Sequence, residues 1–81
     1  MTEESLIELD YRGLRCPLPV IRARKALRGV SSGGEALVTA DDPSAPADFT
    51  AFCEIAGHEL LGIVERDGVF EIRLRTGRKG R

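Results

Sequence analysis

Between Leu6 and Tyr11 the chain alternates, with Ile7, Leu9 and Tyr11 on one side and Glu8 and Asp10 on the other. That period of two is the signature of a half-buried strand. Past Pro19 the period changes: Val20, Ala23, Leu27 and Val30 share one helical face, while Arg22, Arg24, Lys25 and Arg28 occupy the rest. A helix is predicted there, ended by Gly29 and the Ser31-Ser32-Gly33-Gly34 cluster. Ala36 to Ala40 is a short apolar run closed by Asp41-Asp42-Pro43, which predicts a buried strand. A second helix is predicted over about Ala47 to Ala56, its stripe being Phe49, Phe52, Cys53 and Ala56 and its stop Gly57. Either Asp42, or Ser44 with Pro46 inside the first turn, serves as its cap. Leu60 to Glu65 and Val69 to Arg75 predict two strands joined near Asp67-Gly68, a hairpin signal.

The order β-α-β-α-β-β, with strands that alternate apolar and polar residues, predicts a two-layer α/β sandwich. A four-stranded mixed sheet would carry both helices on one face. The 81 residues are expected to form a single domain, ordered over about 6–75, with a flexible basic tail over 76–81. A chain this short buries only about 60% of the surface that its unfolded form exposes. Chemistry must therefore take place at the surface or in a pocket shared with a partner.

Net charge is −1, so the whole chain gives no reason to expect nucleic-acid binding, but the sign is unevenly spread. Glu3, Glu4, Glu8 and Asp10 lead, and Arg73, Arg75, Arg78, Lys79 and Arg81 close. No stretch approaches the roughly 18 apolar residues of a membrane span, and the acidic N-terminus lacks the order of a secretory signal, so a cytoplasmic location is expected. Two cysteines and one histidine make no dense disulfide framework and cannot close a tetrahedral zinc site. No metal is expected. The absence of a Cys-x-x-Cys pair also argues against a dithiol oxidoreductase.

The candidate chemistry centres on Cys16, in Arg15-Cys16-Pro17-Leu18-Pro19, just before the first helix. Proline is favoured at the first helical position, so Pro17 reads as that residue and Cys16 as the N-cap. A neutral sulfur caps poorly compared with Ser, Thr, Asp or Asn, and the position suits a thiolate better. The positive end of the helix dipole, with Arg12 and Arg15, would stabilise the negative charge. Pro17 and Pro19 remove two donors and leave the N–H groups of Leu18 and Val20 as a small anion seat. Leu18, preceding Pro19, is biased away from helical dihedrals, which allows the helix to begin up to one turn later.

The remaining candidates have blander readings. Cys53 lies on an apolar stripe beside two phenylalanines and reads as a small core hydrophobe. His58 reads as hydrogen-bonded structure with a reserve role as acid or base. Asp41 and Asp42 read first as turn and cap formers, and secondly as an acidic docking spot beside the cysteine edge. Arg22, Arg24, Lys25 and Arg28 surround Ile21, which is either part of a solvated charged face or the dry centre of a surface that docks an acidic partner. Phosphate contacts to RNA rank lower, because one tyrosine, inward-patterned phenylalanines and no tryptophan offer few bases a stacking platform.

Leu9-Asp10, Gly13-Leu14-Arg15-Cys16-Pro17-Leu18-Pro19-Val20, Arg24-Lys25, Ala40-Asp41-Asp42-Pro43 and Phe52-Cys53 with Gly57-His58-Glu59-Leu60 together resemble the TusA/SirA-like sulfur-carrier family from Leu6 to Arg75. The Cys-Pro-x-Pro motif is its most specific element. The resemblance implies a stoichiometric sulfurtransferase: Cys16 would accept sulfane sulfur as a persulfide from a cysteine desulfurase or another sulfur donor. It would relay that sulfur to an acceptor protein in tRNA thiolation, molybdenum-cofactor assembly or sulfur oxidation. No cofactor beyond the covalent persulfide sulfur is implied, and a lone carrier thiol needs no dimer, so a monomer is expected. Pro46 and Ala47 and the tail Arg78-Lys79-Gly80-Arg81 depart from the family's usual pattern without touching the thiol. Two further readings remain: a non-catalytic interaction or regulatory module with Cys16 as helix cap, and a redox sensor forming a sulfenic acid.

Overall fold

The computed structural model describes residues 6–77. Its elements are β1 (Leu6–Asp10), α1 (Leu18–Leu27), β2 (Glu35–Ala40), α2 (Ala45–Ala56), β3 (Glu59–Arg66) and β4 (Val69–Arg75). The strands lie in the order β1-β2-β4-β3, with β1 parallel to β2 and β4 antiparallel to both its neighbours. A parallel pair needs a crossover, and α1 supplies it. Ala36 and Val38 of β2 face Leu74 and Ile72 of β4 in register, and both helices pack on the face these side chains form. This is the two-layer sandwich with a mixed four-stranded sheet that the patterning predicts.

The core follows from that register. Ala36, Val38 and Ala40 are fully buried while Glu35, Leu37 and Thr39 alternate onto the other face. Ala23 and Leu27 come down from α1, and Phe49, Phe52 and Cys53 from α2. Phe49 has no exposed surface and meets Phe52 edge to face, with ring centroids 6.1 Å apart. Helix α2 starts two residues earlier than predicted, with Ser44 at the cap position and Pro46 inside the first turn. It ends at Gly57, whose φ of 83° is left-handed and is open to glycine without a Cβ penalty.

Strand β3 departs from simple alternation. Leu60 pairs with Leu74 and Gly62 with Arg73, so Leu61 is an extra residue, a β-bulge. The bulge places both Leu60 and Ile63 against the core although they are three apart in sequence. Asp67 and Gly68 close the hairpin with φ of 52° and 80°, as the Asp-Gly signal predicts. On the open face, Glu35 accepts Arg73 at 3.3 Å and Arg75 at 3.2 Å, and Arg75 also reaches Glu59 at 3.2 Å. These arginines, read from sequence as part of a basic end, are paired across the sheet.

The expected flexible tail begins too early. Thr76 is only 2% exposed; its hydroxyl donates to the Ser31 carbonyl at 2.6 Å and its N–H to the Gly34 carbonyl at 2.8 Å. Gly77 donates its N–H to His58 Nδ1 at 3.0 Å. Both residues tie the end of β4 to neighbouring loops, and the rest of the tail, 78–81, lies outside the described residues, as do Glu3 and Glu4.

Replacing Phe49 by Ala should destabilise the fold by about 3–5 kcal/mol, through lost burial and the cavity left behind. Ile55→Ala, at a side chain 85% exposed, should stay within about 0.5 kcal/mol of the parent chain. Urea unfolding followed by circular dichroism measures both.

Candidate functional site

Because β1 and β2 run parallel, their C-terminal ends lie side by side, and the loops that leave them meet at one edge of the sheet. That edge is where open α/β sheets place their sites. Tyr11 extends the pairing, its N–H donating to the Thr39 carbonyl at 2.7 Å, and the chain then turns through Gly13, at φ 89°, to Cys16. The turn is held from β2's end. Asp41 Oδ1 accepts the Gly13 N–H at 3.0 Å and Arg15 Nη1 at 3.0 Å. Asp42, 6% exposed, accepts the backbone N–H of Cys16 on Oδ2 and that of Ser44, at 3.1 Å, on Oδ1.

Asp41 and Asp42 thus take the turn-forming role that is the first reading of them. Their carboxylates are used inside the molecule, and the hydrogen bonds hold both below the usual carboxylate range: chiefly the Gly13 N–H for Asp41 and the Ser44 N–H for Asp42. Arg12 is likewise occupied. It grips Asp10 with Nε and Nη2, each at 2.8 Å, and holds that carboxyl down to about 2.

Cys16 is exposed, but it is not the N-cap of α1. Helix α1 begins at Leu18, with Pro17 at the cap position and Pro19 inside the first turn, and no side chain caps it. Leu18 donates its N–H to the Arg15 carbonyl at 2.8 Å, so it is not available to the predicted anion seat. The expected cationic support for a thiolate is also displaced, because Arg12 and Arg15 are paired with Asp10 and Asp41. The thiol meets a carboxylate instead: hydrogen bonding to Asp48 favours the protonated form and raises the thiol pKa, against a smaller opposing effect of the Ser44 hydroxyl. Ser44 Oγ stands 3.2 Å from Asp48 Oδ2 and 3.2 Å from Asp42 Oδ1, so its one proton serves only one of these partners at a time.

The sulfur stands at an open groove of about 590 Å³ between the helices, lined by Cys16, Pro17, Val20 and Arg24 on one side and by Asp48, Ala51, Phe52, Ile55 and Ala56 on the other. Arg24 is thus the one predicted docking residue brought to the thiol's groove. Arg22 and Lys25 are exposed elsewhere on α1 and Arg28 at its C-terminal cap, and Ile21 is 52% exposed. Periodicity did not single out Asp48, Ser44 or Ile55. The available signal was the Ser44–Asp48 spacing of four, which puts two polar side chains on one side of a helix start.

Cys53 and His58 fall where their bland readings put them. Cys53 is buried, and burial pushes its thiol up to about 11. His58 lies against Phe52, ring centroids 5.3 Å apart, and accepts the Gly77 N–H. Among the described residues no group of three or more His, Cys, Asp or Glu is placed to hold a metal. No helix of the described residues is long and apolar enough to cross a membrane.

The chain is thus a small two-layer sandwich that presents one exposed thiol on a pinned loop, at the mouth of an apolar groove. The family model for sulfurtransferase TusA matches residues 7–76, and the chain belongs to that family. It is 44% identical over 68 residues to the sulfur carrier protein TusA of Allochromatium vinosum, covering 84% of this chain and 90% of that one. It is 52% identical over 64 residues to a protein of Neisseria meningitidis serogroup A named as a candidate sulfur carrier, covering 79% and 86%. The crystal structure of a SirA-like protein from Desulfitobacterium hafniense superposes with a TM-score of 0.76 at 34% identity, covering 89% of this chain and 99% of that one.

Two measurements check this geometry. The folded pKa values of Asp41 and Asp42 lie below 3.8, so their support of the loop is complete above that pH and is lost as pH falls through the lower folded values. The amide signals of Gly13 and Cys16 should therefore stay constant from pH 7 to about 5 and shift with a midpoint below 3.8 in an NMR titration. Iodoacetamide at pH 8 should modify Cys16 alone in the folded chain and both thiols in urea, as peptide mass mapping would show.

Proposed function

We propose that this chain is a sulfur carrier that takes sulfane sulfur on Cys16 and hands it to an acceptor protein. The observation that carries the reading is the position of Cys16 in a member of the TusA family: exposed, fixed through its backbone, and open to an apolar groove rather than enclosed. A carrier must meet the reacting sulfur of a larger protein, and a thiol recessed in a closed pocket could not. In the loading step the Cys16 thiolate attacks the terminal sulfur of a donor persulfide. A new S–S bond forms at Cys16, the donor's S–S bond breaks, and the donor cysteine leaves as a thiolate. Delivery reverses the roles: an acceptor nucleophile takes the terminal sulfur and Cys16 leaves as a thiolate.

The donor is a cysteine desulfurase or another protein persulfide, and the acceptor a protein of tRNA thiolation, molybdenum-cofactor assembly or sulfur oxidation. Arg24, at the groove, with Arg22, Lys25 and Arg28 along the same helix, steers an acidic partner surface, and Ile21 supplies an apolar contact. The chain acts as a monomer in the cytoplasm and needs no cofactor beyond the sulfur it carries. In the alternative, a non-catalytic interaction or regulatory module, Cys16 would have no capping role, since Pro17 holds the cap position.

Incubation of the reduced protein with a cysteine desulfurase and L-cysteine should add one sulfur, about 32 Da, detected by intact mass spectrometry. The gain should vanish in Cys16→Ser and survive in Cys53→Ser. No gain in any form, with the desulfurase active on another acceptor, would overturn donation by a desulfurase.

A further inference from the structure

The two walls of the groove at Cys16 carry opposite charges that are not spent on each other. Asp48, in the first turn of α2, lines one wall, and Arg24 of α1 lines the other. Asp48 meets the Ser44 hydroxyl at 3.2 Å, but neither Asp48 nor Arg24 enters an ion pair among the described residues, whereas Arg12, Arg15, Arg73 and Arg75 all do. The backbone places this first turn beside the thiol's loop, because the single Asp42 carboxylate accepts the N–H groups of both Cys16 and Ser44. Val20, Ala51, Phe52, Ile55 and Ala56 make the rest of the lining mostly apolar. At about 590 Å³ the groove falls within the roughly 300–1,000 Å³ of small-ligand sites. It therefore offers a sulfur nucleophile, an anion and a cation around an apolar floor. A cysteine inside a protein brings neither complementary charge, since its nitrogen and carbonyl are tied up in peptide bonds. A free amino acid brings both on one carbon, with the sulfur two bonds away.

We propose that the groove binds a free amino-acid persulfide, such as that of cysteine, and that this small zwitterion loads Cys16 without a donor protein. The inference rests on the reading of Cys16 as a sulfur carrier and adds a substrate class to it. The ligand's ammonium pairs with Asp48, and its carboxylate with the Arg24 guanidinium, whose planar fork suits a carboxylate. The thiol proton of Cys16 leaves to solvent, and the thiolate attacks the outer sulfur of the persulfide. A new S–S bond forms at Cys16, the donor's S–S bond breaks, and the amino acid leaves as a thiolate that takes up a proton. One sulfur changes hands, and no oxidant or reductant is consumed.

Any persulfide exchanges slowly with an exposed thiol, so the test reads discrimination between donors rather than loading as such. Rates of sulfur gain at Cys16 are measured by intact mass spectrometry in the Cys53→Ser background with three donors: cysteine persulfide, N-acetylcysteine persulfide, which lacks the ammonium, and cysteamine persulfide, which lacks the carboxylate. Asp48→Asn should lower the rate ratio of cysteine to N-acetylcysteine persulfide about three- to fivefold, and Arg24→Gln should lower the ratio of cysteine to cysteamine persulfide by a similar factor. A change in the reactivity of the thiol itself would scale all three donors together and leave both ratios where they were. Arg66→Gln, at an exposed arginine on β3 away from the groove, controls for net charge and should move neither ratio. Either ratio unmoved in its variant, with circular dichroism showing a folded chain, or moved equally by Arg66→Gln, overturns the proposal. Desulfurase loading run alongside keeps the two ideas apart: sulfur gain from the desulfurase with unmoved ratios leaves the carrier reading standing and removes this one. Failure of the desulfurase and of all three persulfides to load Cys16 removes both.

Discussion

The buried Asp42 carboxylate is the constraint on which the site depends. It stands at the end of β2 and takes one N–H from the Cys16 loop and one from the start of α2. A carboxylate removed from water must have its lone pairs satisfied, and here the donors come from two otherwise unconnected segments. The cysteine loop and the helix that carries Ser44 and Asp48 are thus fixed to one group. Asp41 adds a second tie through Gly13 and Arg15. The loop is held through its backbone, which leaves the sulfur free to react.

The size of the domain explains why the chemistry lies at its edge. The core is one layer of side chains between a sheet and two helices, filled mainly by Phe49, Leu27, Ile72, Leu74 and Val38. Nothing in it could enclose a substrate. The space between the helices above the parallel strand ends forms a groove instead, with the exposed Ile55 and the partly covered Val20 beside the thiol. The two cysteines show how far environment decides reactivity. Cys53, in the core, is pushed up by burial alone, whereas Cys16, in the open, is governed by a neighbouring carboxylate.

Charge is arranged for position more than for a general field. Across the open sheet face, Arg73 and Arg75 meet Glu35 and Glu59 in pairs whose arginine ends stay open to water, so each adds little to stability. Around the site, Arg12 and Arg15 are drawn to carboxylates rather than to the sulfur. A cation near a cysteine in sequence is therefore weak evidence of thiolate support, since the side chain goes to whichever anion the fold brings nearest.

Much of the architecture was legible in the chain itself. Hydrophobic periods of two and of 3.6 are local properties, and they located all the strands and helices, the Asp-Gly hairpin and the inward faces of Phe49, Phe52 and Cys53. The Cys-Pro-x-Pro segment likewise marked Cys16 before any fold was known. The bulge at Leu61 was hidden, because pairing register is set by the neighbouring strand and not by the bulged one. So were the tie of Thr76 to Ser31 and Gly34 and the inward use of Asp41 and Asp42, each spanning more than 25 residues of sequence. The sequence by itself determined which elements form and which thiol stands before a helix. Only the tertiary structure decided what surrounds that thiol, because Asp42, Ser44 and Asp48 reach it through the parallel pairing of β1 with β2, a long-range contact that no local pattern encodes.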